Sequence, residues 1–412
     1  ILAAGKSTRM KSEMPKVLHP ICGRPVLAYV LDLVKQLKPA RTVAVLGYKH
    51  EEVRKIIPRD VTVVVQKKLI GTADAVKQAQ RALAGFKGTV LILYGDCPLL
   101  KVETVKKLLD SHVKSGVAAT LLSAQLEDPA SYGRIVRDRY AGVCGITEAK
   151  DANDAQKLIK EINTGIVCYD KDKLFKALAK VRPNNAKKEY YLTDTIKILS
   201  ASGELVDAVA IADIGEALGI NSRVELAQAA KIIQKRINEK LMLEGVTIID
   251  PDTAFITYGT KIGQDTVIYP FTVTEKNVII GKRCSVGPFI RLREATRLED
   301  DVVVGNFLEI VRSKISSKTW AKHFGYIGDT RVGKSANIGA GSVTANFDNN
   351  QKNVSVIKDN AFIGCDTVLV SPVVVGKGAK TGAGSIVTKH TTIADHTVVA
   401  GVPAKPLAQK RA

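Results

Sequence analysis

A segment near the start of the chain carries residues that suit phosphate binding. Residues 2–5 read Leu-Ala-Ala-Gly, and Arg9 and Lys16 follow, Lys16 directly behind Pro15. Small residues allow backbone N–H groups to approach phosphate oxygens closely. The two cationic side chains can neutralise a triphosphate and the pyrophosphate that leaves it. As an alternative, residues 5–7 (Gly-Lys-Ser) fit the end of a Walker A loop whose first glycine would precede residue 1.

Asp96 is the first candidate metal ligand. It follows an apolar run at residues 90–93 (Val-Leu-Ile-Leu) and stands behind Tyr94 and Gly95. A carboxylate oxygen at the end of a strand is the kind of ligand that Mg²⁺ takes, together with phosphates and water. A helix cap is the alternative role for an aspartate at such a place. The position favours a magnesium site.

His323 is the candidate general base. An imidazole exchanges its proton near neutral pH and can therefore take one from an attacking amine. A lone histidine more often has a structural role. This one lies beside Tyr326, in a segment that interrupts a sequence repeat described below. The placement therefore favours a base over a packing residue.

The first half of the chain must supply the elements that position Arg9, Lys16 and Asp96. Apolar strand patterns at residues 42–47, 61–66 and 90–96 alternate with helical patterns at 26–37 and 73–83. Strands that alternate with helices predict βαβ units and a largely parallel sheet. Ligands of such sheets bind at the carboxyl ends of the strands. Residues 222–243 then predict one long helix, with a capping-box pattern at its start.

After residue 250 an apolar residue recurs every six positions. The column includes Ile280, Val286, Leu292 and Leu298, with Thr274 as a weak member. Such a period is typical of hexapeptide repeats, which form a parallel β-helix around a triangular core. Helices of this repeat wind left-handed, against the usual crossover rule. The period fails at residues 311–325 and 344–356 and resumes after the first gap at Tyr326, Val332 and Ile338. Function is expected where a solenoid is interrupted.

Composition excludes several classes of protein. The 412 residues carry 61 Lys and Arg against 41 Asp and Glu, a net charge of +20, which fits anionic small molecules. Aromatic residues are 5%, and the basic residues are scattered, so no nucleic-acid partner is expected. No apolar run approaches the roughly 20 residues of a membrane span, so no membrane insertion is expected. The six cysteines form no Cys-x-x-Cys pair, which predicts reduced thiols and a cytoplasmic location.

The phosphate-binding segment resembles the signature of the sugar-nucleotide nucleotidyltransferase family. That signature is Leu-Ala-Ala-Gly-x-x-Thr-Arg-Met followed by Pro-Lys, and Ser7 replaces its usual glycine. The resemblance continues in order through Gln66 and Glu148 and through residues 71–73, 94–96, 132–134, 161–165, 189–194 and 219–221. With the hexapeptide half, the whole chain resembles the family of bifunctional N-acetylglucosamine-1-phosphate uridylyltransferases and glucosamine-1-phosphate N-acetyltransferases.

In the first half the resemblance implies a uridylyl-transfer site. Arg9 and Lys16 would be its catalytic cations, and Asp96 and Asn221 would hold Mg²⁺. Nucleotide binding would fall to Leu2, Ala3, Ala4, Gly5, Gln66, Gly71, Thr72, Tyr94 and Gly95. The sugar would be contacted by Gly133, Glu148 and Asn163.

In the second half the resemblance implies an acetyl-transfer site with His323 as its catalytic base. The acetyl acceptor would be bound by Arg293, Tyr326, Asn337 and Lys352. Acetyl-coenzyme A would be contacted by Ala340, Asn346, Cys365 and Ala383. Two departures fall among the acceptor contacts. Val311 stands where a lysine is expected, with Arg312 as its possible substitute, and residues 345–349 replace the usual Cys-Asn-Tyr-Asp-Gly.

The expected protein is an α/β chain of three parts. A Rossmann-like nucleotidyltransferase domain (residues 1–221) leads through a linker helix (222–245) into a left-handed β-helix acetyltransferase domain (246–412). The resemblance implies acetyl transfer from acetyl-coenzyme A to glucosamine-1-phosphate, then coupling to UTP with release of pyrophosphate. It also implies sugar phosphates and nucleotides as partners and a homotrimer. Two alternatives stay open: another sugar-1-phosphate or nucleotide, or a β-helix that is a different acyltransferase or a non-catalytic assembly or regulatory platform.

Overall fold

The computed structural model describes residues 1–6, 8–130 and 132–407. The chain forms two compact units, residues 1–230 and 231–412. None of the described helices combines the length and the apolar character that a membrane span requires. The α-helices are α1 Val26–Leu37, α2 His50–Arg54, α3 Thr72–Gln78, α4 Val102–Ser115, α5 Asp154–Lys157, α6 Lys171–Lys180, α7 Asp194–Ala201 and α8 Arg223–Leu243. Short 3₁₀ helices span Thr8–Met10, Lys16–Leu18 and Ile214–Ala217.

Eleven strands belong to the first unit within its described residues. They are β1 Leu2–Ala3, β2 Pro20–Ile21, β3 Arg24–Pro25, β4 Val43–Leu46, β5 Thr62–Val65, β6 Thr89–Ile92, β7 Ala119–Gln125, β8 Arg134–Arg137, β9 Val143–Thr147, β10 Glu161–Asp170 and β11 Val206–Ala210. Strands β4 and β5 and helix α1 confirm the sequence prediction closely. Helix α3 ends at Gln78, earlier than the pattern over 73–83 predicted.

A single sheet order places the carboxyl ends of the parallel strands together. Strands β5, β4 and β1 lie side by side in this order. Strand β1 then meets the residues just after β6, where the Leu2 N–H donates to the Leu93 carbonyl at 2.8 Å and the Gly95 N–H donates to the Leu2 carbonyl at 2.9 Å. It then runs β6–β10–β7–β11, with β10 antiparallel to β6 and β7. Strand β8 pairs with β10, and β9 pairs with β8. Alternate residues of β10 enter different cores, Cys168 with α1 and α4, and Val167 with α6 and α7. The sheet is therefore covered by helices on both faces.

The second unit is a parallel β-helix, as the six-residue period predicted. Its strands are β12 Thr247–Ile248, β13 Lys261–Ile262, β14 Val267–Ile268, β15 Val273–Thr274, β16 Ile279–Ile280, β17 Ser285–Val286, β18 Arg291–Leu292, β19 Arg297–Leu298, β20 Val303–Val304, β21 Leu308–Val311, β22 Lys314–Ile315, β23 Trp320–Ala321, β24 Gly325–Gly328, β25 Thr330–Val332, β26 Asn337–Ile338, β27 Val343–Ala345, β28 Ser355–Ile357, β29 Phe362–Ile363, β30 Val368–Val370, β31 Val374–Val375, β32 Lys380–Thr381, β33 Ile386–Val387, β34 Thr392–Ile393, β35 Val398–Ala400 and β36 Lys405–Pro406.

Three sheets form the faces of this prism. Face 1 is the ten-stranded sheet that includes β23 and β26, face 2 the seven-stranded sheet that includes β24 and β27, and face 3 the eight-stranded sheet that includes β25 and β28. We call the turns that lead from face 1 to face 2 the first edge, and those from face 2 to face 3 the second edge. The inward residues form one continuous apolar core.

The length of a coil is regular, with two departures. Hydrogen bonds between equivalent points of neighbouring coils join positions 18 apart in sequence near the start and the end of the prism. The same separation is 17 in the middle. It widens to 25 between Lys334 and Asp359, because residues 346–354 leave the prism as a loop. The interruption predicted at 344–356 is thus a true loop over residues 346–354, whereas strands run through 311–325.

The column residue predicted at Tyr326 is wrong by one position. Ile327 is the buried member, and Tyr326 is partly exposed on face 2. The column steps by five residues twice, from Ile310 to Ile315 and from Ile327 to Val332. Side-chain hydroxyl groups bond to the backbone at this turn, as they also do between coils of regular length. Ser313 accepts a hydrogen bond from the backbone N–H of Thr330, at 2.9 Å, and Thr330 donates to the Gly328 carbonyl, at 2.8 Å.

Candidate functional sites

The loop after β1 presents its backbone and exposed cationic side chains at the carboxyl edge of the sheet. Ala3 and Ala4 are buried, and the Ala4 carbonyl accepts a hydrogen bond from the Tyr48 N–H at 3.0 Å. Gly5 and Arg9 are exposed, Arg9 on the 3₁₀ turn Thr8–Met10. The start of the loop is therefore buried and held in place, whereas its later residues are accessible. The Walker A alternative ends on Ser7, which lies outside the described residues.

Lys16, Asp96 and Asn221 meet at one point of this edge. The Lys16 ammonium pairs with the Asp96 carboxylate and donates to the Asn221 amide oxygen at 2.9 Å. Asn221 is held in place because the N–H of Ile220 donates to the Asp96 carbonyl, at 2.9 Å. Two hard oxygens thus converge on a position that a cation already takes in the form of the ammonium, so these residues fit Mg²⁺. Among the described residues no group of three or more His, Cys, Asp or Glu could hold a metal ion, so this pair is a partial ligand set.

Gln66 and Gly71 are joined by a hydrogen bond, and Thr72 bonds to a distant segment of the chain. The Gln66 amide nitrogen donates to the Gly71 carbonyl at 3.0 Å and to the Asp74 carboxylate at 2.8 Å. Both amide hydrogens are used, which leaves the buried amide oxygen as the acceptor that could face a base. The Thr72 hydroxyl accepts from the Leu192 N–H at 2.9 Å. Asp74, which sets the orientation of Gln66, was missed; its place in the first turn of α3 was the available signal.

Gly71 cannot carry a side chain at this position. Its φ is +126°, and a Cβ would lie 2.3 Å from the Tyr190 carbonyl oxygen. We expect Gly71→Ala to displace the 189–194 segment, to lower the melting temperature and to raise the KM for UTP several-fold. Circular dichroism and pyrophosphate-release kinetics measure both. Gly203→Ala is the matched control, because Gly203 has a φ of +78° but open space around it. Equal effects of the two substitutions would mean that φ alone, and not the contact with Tyr190, fixes Gly71.

The three residues predicted to contact the sugar lie together. The Asn163 N–H donates to the Gly133 carbonyl at 2.8 Å, and a Cβ on Gly133 would stand 3.5 Å from the Glu148 carboxylate. Burial raises the pKa of Glu148, while a hydrogen bond from the Thr193 hydroxyl, at 3.1 Å, acts in the opposite direction. The cluster offers a carboxylate, an amide and a bare backbone, which suits sugar hydroxyl groups. Thr193 was not singled out from the sequence.

Tyr94 and Gly95 are packed closely against neighbouring segments. The Tyr94 ring lies against Gly165, where a Cβ would be 2.8 Å from the ring. Burial, followed by the charges of Glu148 and Asp96, raises the pKa of the Tyr94 hydroxyl. A Cβ on Gly95 would meet Leu27 at 3.0 Å. Both residues therefore allow close approach of the surrounding segments.

The first edge of the β-helix carries His323 and a row of small residues. His323 is exposed on the turn between β23 and β24. Successive coils place Ala340, Cys365 and Ala383 on the same edge, and backbone bonds connect the turns. Gly341 N–H donates to the Phe324 carbonyl, Asp366 N–H to that of Ala340, and Gly384 N–H to that of Cys365, at 2.7–2.8 Å. The opposite end of this edge is aromatic. Phe271, Phe289 and Phe307 stack with centroids 4.8 and 5.0 Å apart.

The second edge carries a polar cluster around Asp329. Arg312 donates to both carboxylate oxygens of Asp329, each at 2.7 Å, and Asn346 donates to the same carboxylate. Burial raises the pKa of Asp329, but these hydrogen bonds outweigh it and hold the pKa below its usual value. Arg312 is therefore the ion-pair partner of Asp329. The neighbouring Val311 is buried. Asp329, like Asp96, follows a strand end, which was the signal for it.

Arg293, Tyr326 and Lys352 lie around this cluster, whereas Asn337 does not. Arg293 donates to Glu309 at 2.8 Å, and Lys352 bridges to Phe347 within the loop. A Cβ on Gly328 would lie 2.5 Å from the Tyr326 hydroxyl and 2.6 Å from the Asn346 amide nitrogen, so these two side chains converge. Asn337 belongs to face 1, paired with Trp320 on one side and Phe362 on the other. The predicted acceptor contacts are therefore divided between two faces of one prism.

Comparison with known proteins agrees with both halves of this arrangement. Residues 1–179 match the family model of the MobA-like NTP transferase domain. The chain is 42% identical to the "Bifunctional protein GlmU" of Geobacillus sp. (strain WCH70) over 94% of its own length and 92% of that protein. It is 43% identical to the protein of the same name from Thermosipho africanus over 94% and 91%, and 39% identical to that of Listeria monocytogenes serotype 4a over 94% and 92%. The chain belongs to the family of bifunctional GlmU proteins.

Proposed function

We propose that the chain makes UDP-N-acetylglucosamine at two separate sites. The β-helix transfers the acetyl group of acetyl-coenzyme A to glucosamine-1-phosphate, and the α/β unit couples the product to UTP. The observation that supports this most is the meeting of Lys16, Asp96 and Asn221 at the carboxyl edge of the sheet. That arrangement places positive charge and hard oxygens where a triphosphate would bind.

For uridylyl transfer, the sugar phosphate is itself the nucleophile. Its oxygen attacks the α-phosphorus of UTP, and the bond to the departing pyrophosphate breaks. The loop of residues 2–5 would bind the triphosphate through its backbone, with Arg9 and Lys16 neutralising the developing charge. The Gln66 amide oxygen would accept the uracil N3–H. Gly133, Glu148 and Asn163 would orient the sugar, so that positioning and charge supply the catalysis.

Asp96 and Asn221 would hold Mg²⁺ in this unit. When bound, the ion neutralises phosphate charge. The remaining ligands would come from phosphate oxygens and water, since Mg²⁺ takes few protein carboxylates.

For acetyl transfer, His323 would take the proton of the 2-amino group as the nitrogen attacks the thioester carbonyl. The thiolate of coenzyme A then leaves as the carbon–sulfur bond breaks. The row of Ala340, Cys365 and Ala383 would line the groove for acetyl-coenzyme A, with Asn346 as a further contact. Arg293, Tyr326, Asn337 and Lys352 would bind the acetyl acceptor.

Two assays test the function directly. Glucosamine-1-phosphate with acetyl-coenzyme A should release a free thiol, and UTP with Mg²⁺ and N-acetylglucosamine-1-phosphate should release pyrophosphate. A β-helix that is only an assembly platform would give the second reaction without the first. If another sugar-1-phosphate reacted faster than these substrates in the two assays, the substrate assignment would change. Cytoplasmic action is part of the proposal, because Cys97, Cys144, Cys168, Cys284 and Cys365 form no disulfide in the structure, which fits a reducing compartment.

A homotrimer is the expected assembly. His323 and Arg293 lie on opposite edges of face 2 and on coils two steps apart. They are therefore separated by the width of a strand such as β24 (Gly325–Gly328), roughly 10 Å at 3.3 Å per residue, and by roughly 10 Å along the prism. Asn337 faces outward from another face. A second copy that brings its own edge alongside would complete the set, and a closed ring of copies satisfies this for every subunit.

Light scattering should therefore give about 133 kDa for three copies of the 44.4 kDa chain. Dilution below the association range should reduce acetyl transfer and leave uridylyl transfer in place. A monomer at micromolar concentration with full acetyltransferase activity would contradict the shared site.

A further inference from the structure

Lys16 lies where a metal ion would bind. Its ammonium contacts one oxygen of Asp96 and the amide oxygen of Asn221, the two oxygens assigned to Mg²⁺. The side chains of Lys16 and Asp96 are only 14% and 15% exposed, so solvent screens the pair weakly. The ammonium of Lys16 thus occupies the proposed metal position.

Contacts other than Lys16 hold Asn221 beside Asp96. The Asn221 amide nitrogen donates to the Gly219 carbonyl at 3.3 Å, and the Asn221 N–H donates to Glu225 at 2.7 Å. Asp96 and Asn221 are further joined through the backbone bond from Ile220. This geometry accepts one cation between the two side chains, because a second at the same point would meet like charge at contact distance.

The protein ligands alone are too few for Mg²⁺. The ion requires near-octahedral coordination by oxygen, and this pair supplies one carboxylate and one amide. The missing ligands are phosphate oxygens, which are also the natural partners for a displaced lysine. Binding of the triphosphate would therefore supply the missing metal ligands and a new partner for Lys16 at the same time.

We propose that Lys16 acts as a resident counter-ion that excludes divalent metal until a nucleotide triphosphate draws the ammonium away. This inference rests on the proposed function of the α/β unit. Lys16 then couples the binding of metal to the binding of nucleotide, and by thermodynamic linkage each increases the affinity for the other. The free enzyme would carry no metal at moderate concentration, and the metal–nucleotide complex would be the species that loads.

The test measures Mn²⁺ binding to the full chain without nucleotide, from the electron paramagnetic resonance signal of free Mn²⁺. We expect Lys16→Met to bind Mn²⁺ about tenfold more tightly than the wild-type chain, within the usual range of coupling effects. Lys16→Arg keeps the charge and should bind as weakly as wild type. Lys35→Met removes one exposed lysine on α1 and is the charge-matched control. Lys16→Gln repeats the experiment if the methionine variant is poorly folded by circular dichroism.

Two outcomes separate the inference from the function on which it rests. No gain in Mn²⁺ affinity for Lys16→Met and Lys16→Gln over Lys35→Met would overturn the counter-ion role. A gain that survives in the double variant Lys16→Met with Asp96→Asn would show that the metal binds elsewhere, and the metal assignment would then fail. A gain that disappears in the double variant supports both.

Discussion

Replacing Asp96 by asparagine is expected to lower uridylyl transfer by a factor on the order of 10² or more at limiting Mg²⁺. Asparagine keeps the shape of the side chain but removes the only carboxylate of the Asp96–Asn221 pair. The metal would be held by two neutral oxygens, and the ammonium of Lys16 would lose its counter-charge. Pyrophosphate release at varied Mg²⁺ measures the loss, and higher Mg²⁺ should restore part of the rate.

Acetyl transfer by Asp96→Asn should remain at the wild-type rate, because the substitution lies in the other unit. Asp110→Asn, an exposed aspartate on α4, is the charge-matched control and should leave both rates unchanged. If Asp96→Asn kept the wild-type uridylyl rate at limiting Mg²⁺, the metal site would have to lie elsewhere.

Replacing His323 by alanine is expected to slow acetyl transfer by roughly 10²–10⁴-fold, the usual contribution of a general base. The amine attacks only when it is neutral, so a base positioned beside it removes the proton as the bond forms. His323 lies on an exposed turn, so the melting temperature should not change. Thiol release with acetyl-coenzyme A and glucosamine-1-phosphate measures the effect.

His390→Ala is the matched control for that experiment. His390 is also exposed on a turn of the β-helix, but it follows β33 on the second edge, away from the row of small residues. Uridylyl transfer should be unaffected in both variants. A His323→Ala chain with full acetyltransferase activity would reject the mechanism, whereas a fall in both activities with a lower melting temperature would make His323 a packing residue.

The sequence predicted the β-helix well because its core repeats on a short period. One inward residue is needed for each face, so an apolar side chain must recur along the chain, and Ile280 through Ile310 show it without a break. The prediction was wrong at Tyr326 because two steps of the apolar column, those that end at Ile315 and Val332, are five residues long and not six. An apolar pattern shows which residues point inward, but the missing position lies in a turn, where the residues are polar.

The candidate sites were harder to predict because their contacts join distant parts of the chain. Lys16 and Asn221 are 205 positions apart, and only the strand order brings them to Asp96. Asp74 and Asp329 were missed since each acts on another side chain, Gln66 and Arg312 respectively. The resemblance to a family supplied the candidate list. The folded chain supplied the division of the acetyl-acceptor contacts between two faces.

The regular spacing between paired strands has a consequence for how this prism can change in length. Inserting one full coil of the regular length leaves every inward side chain inward, as the pairing of Val267 with Ser285 illustrates. A single residue added inside a strand would instead turn every later side chain of that strand to the opposite side. The prism can therefore grow or shrink in steps of about 4.8 Å, the separation of neighbouring strands. The number of coils below β23, rather than any residue near it, sets how far His323 stands above the base of the prism.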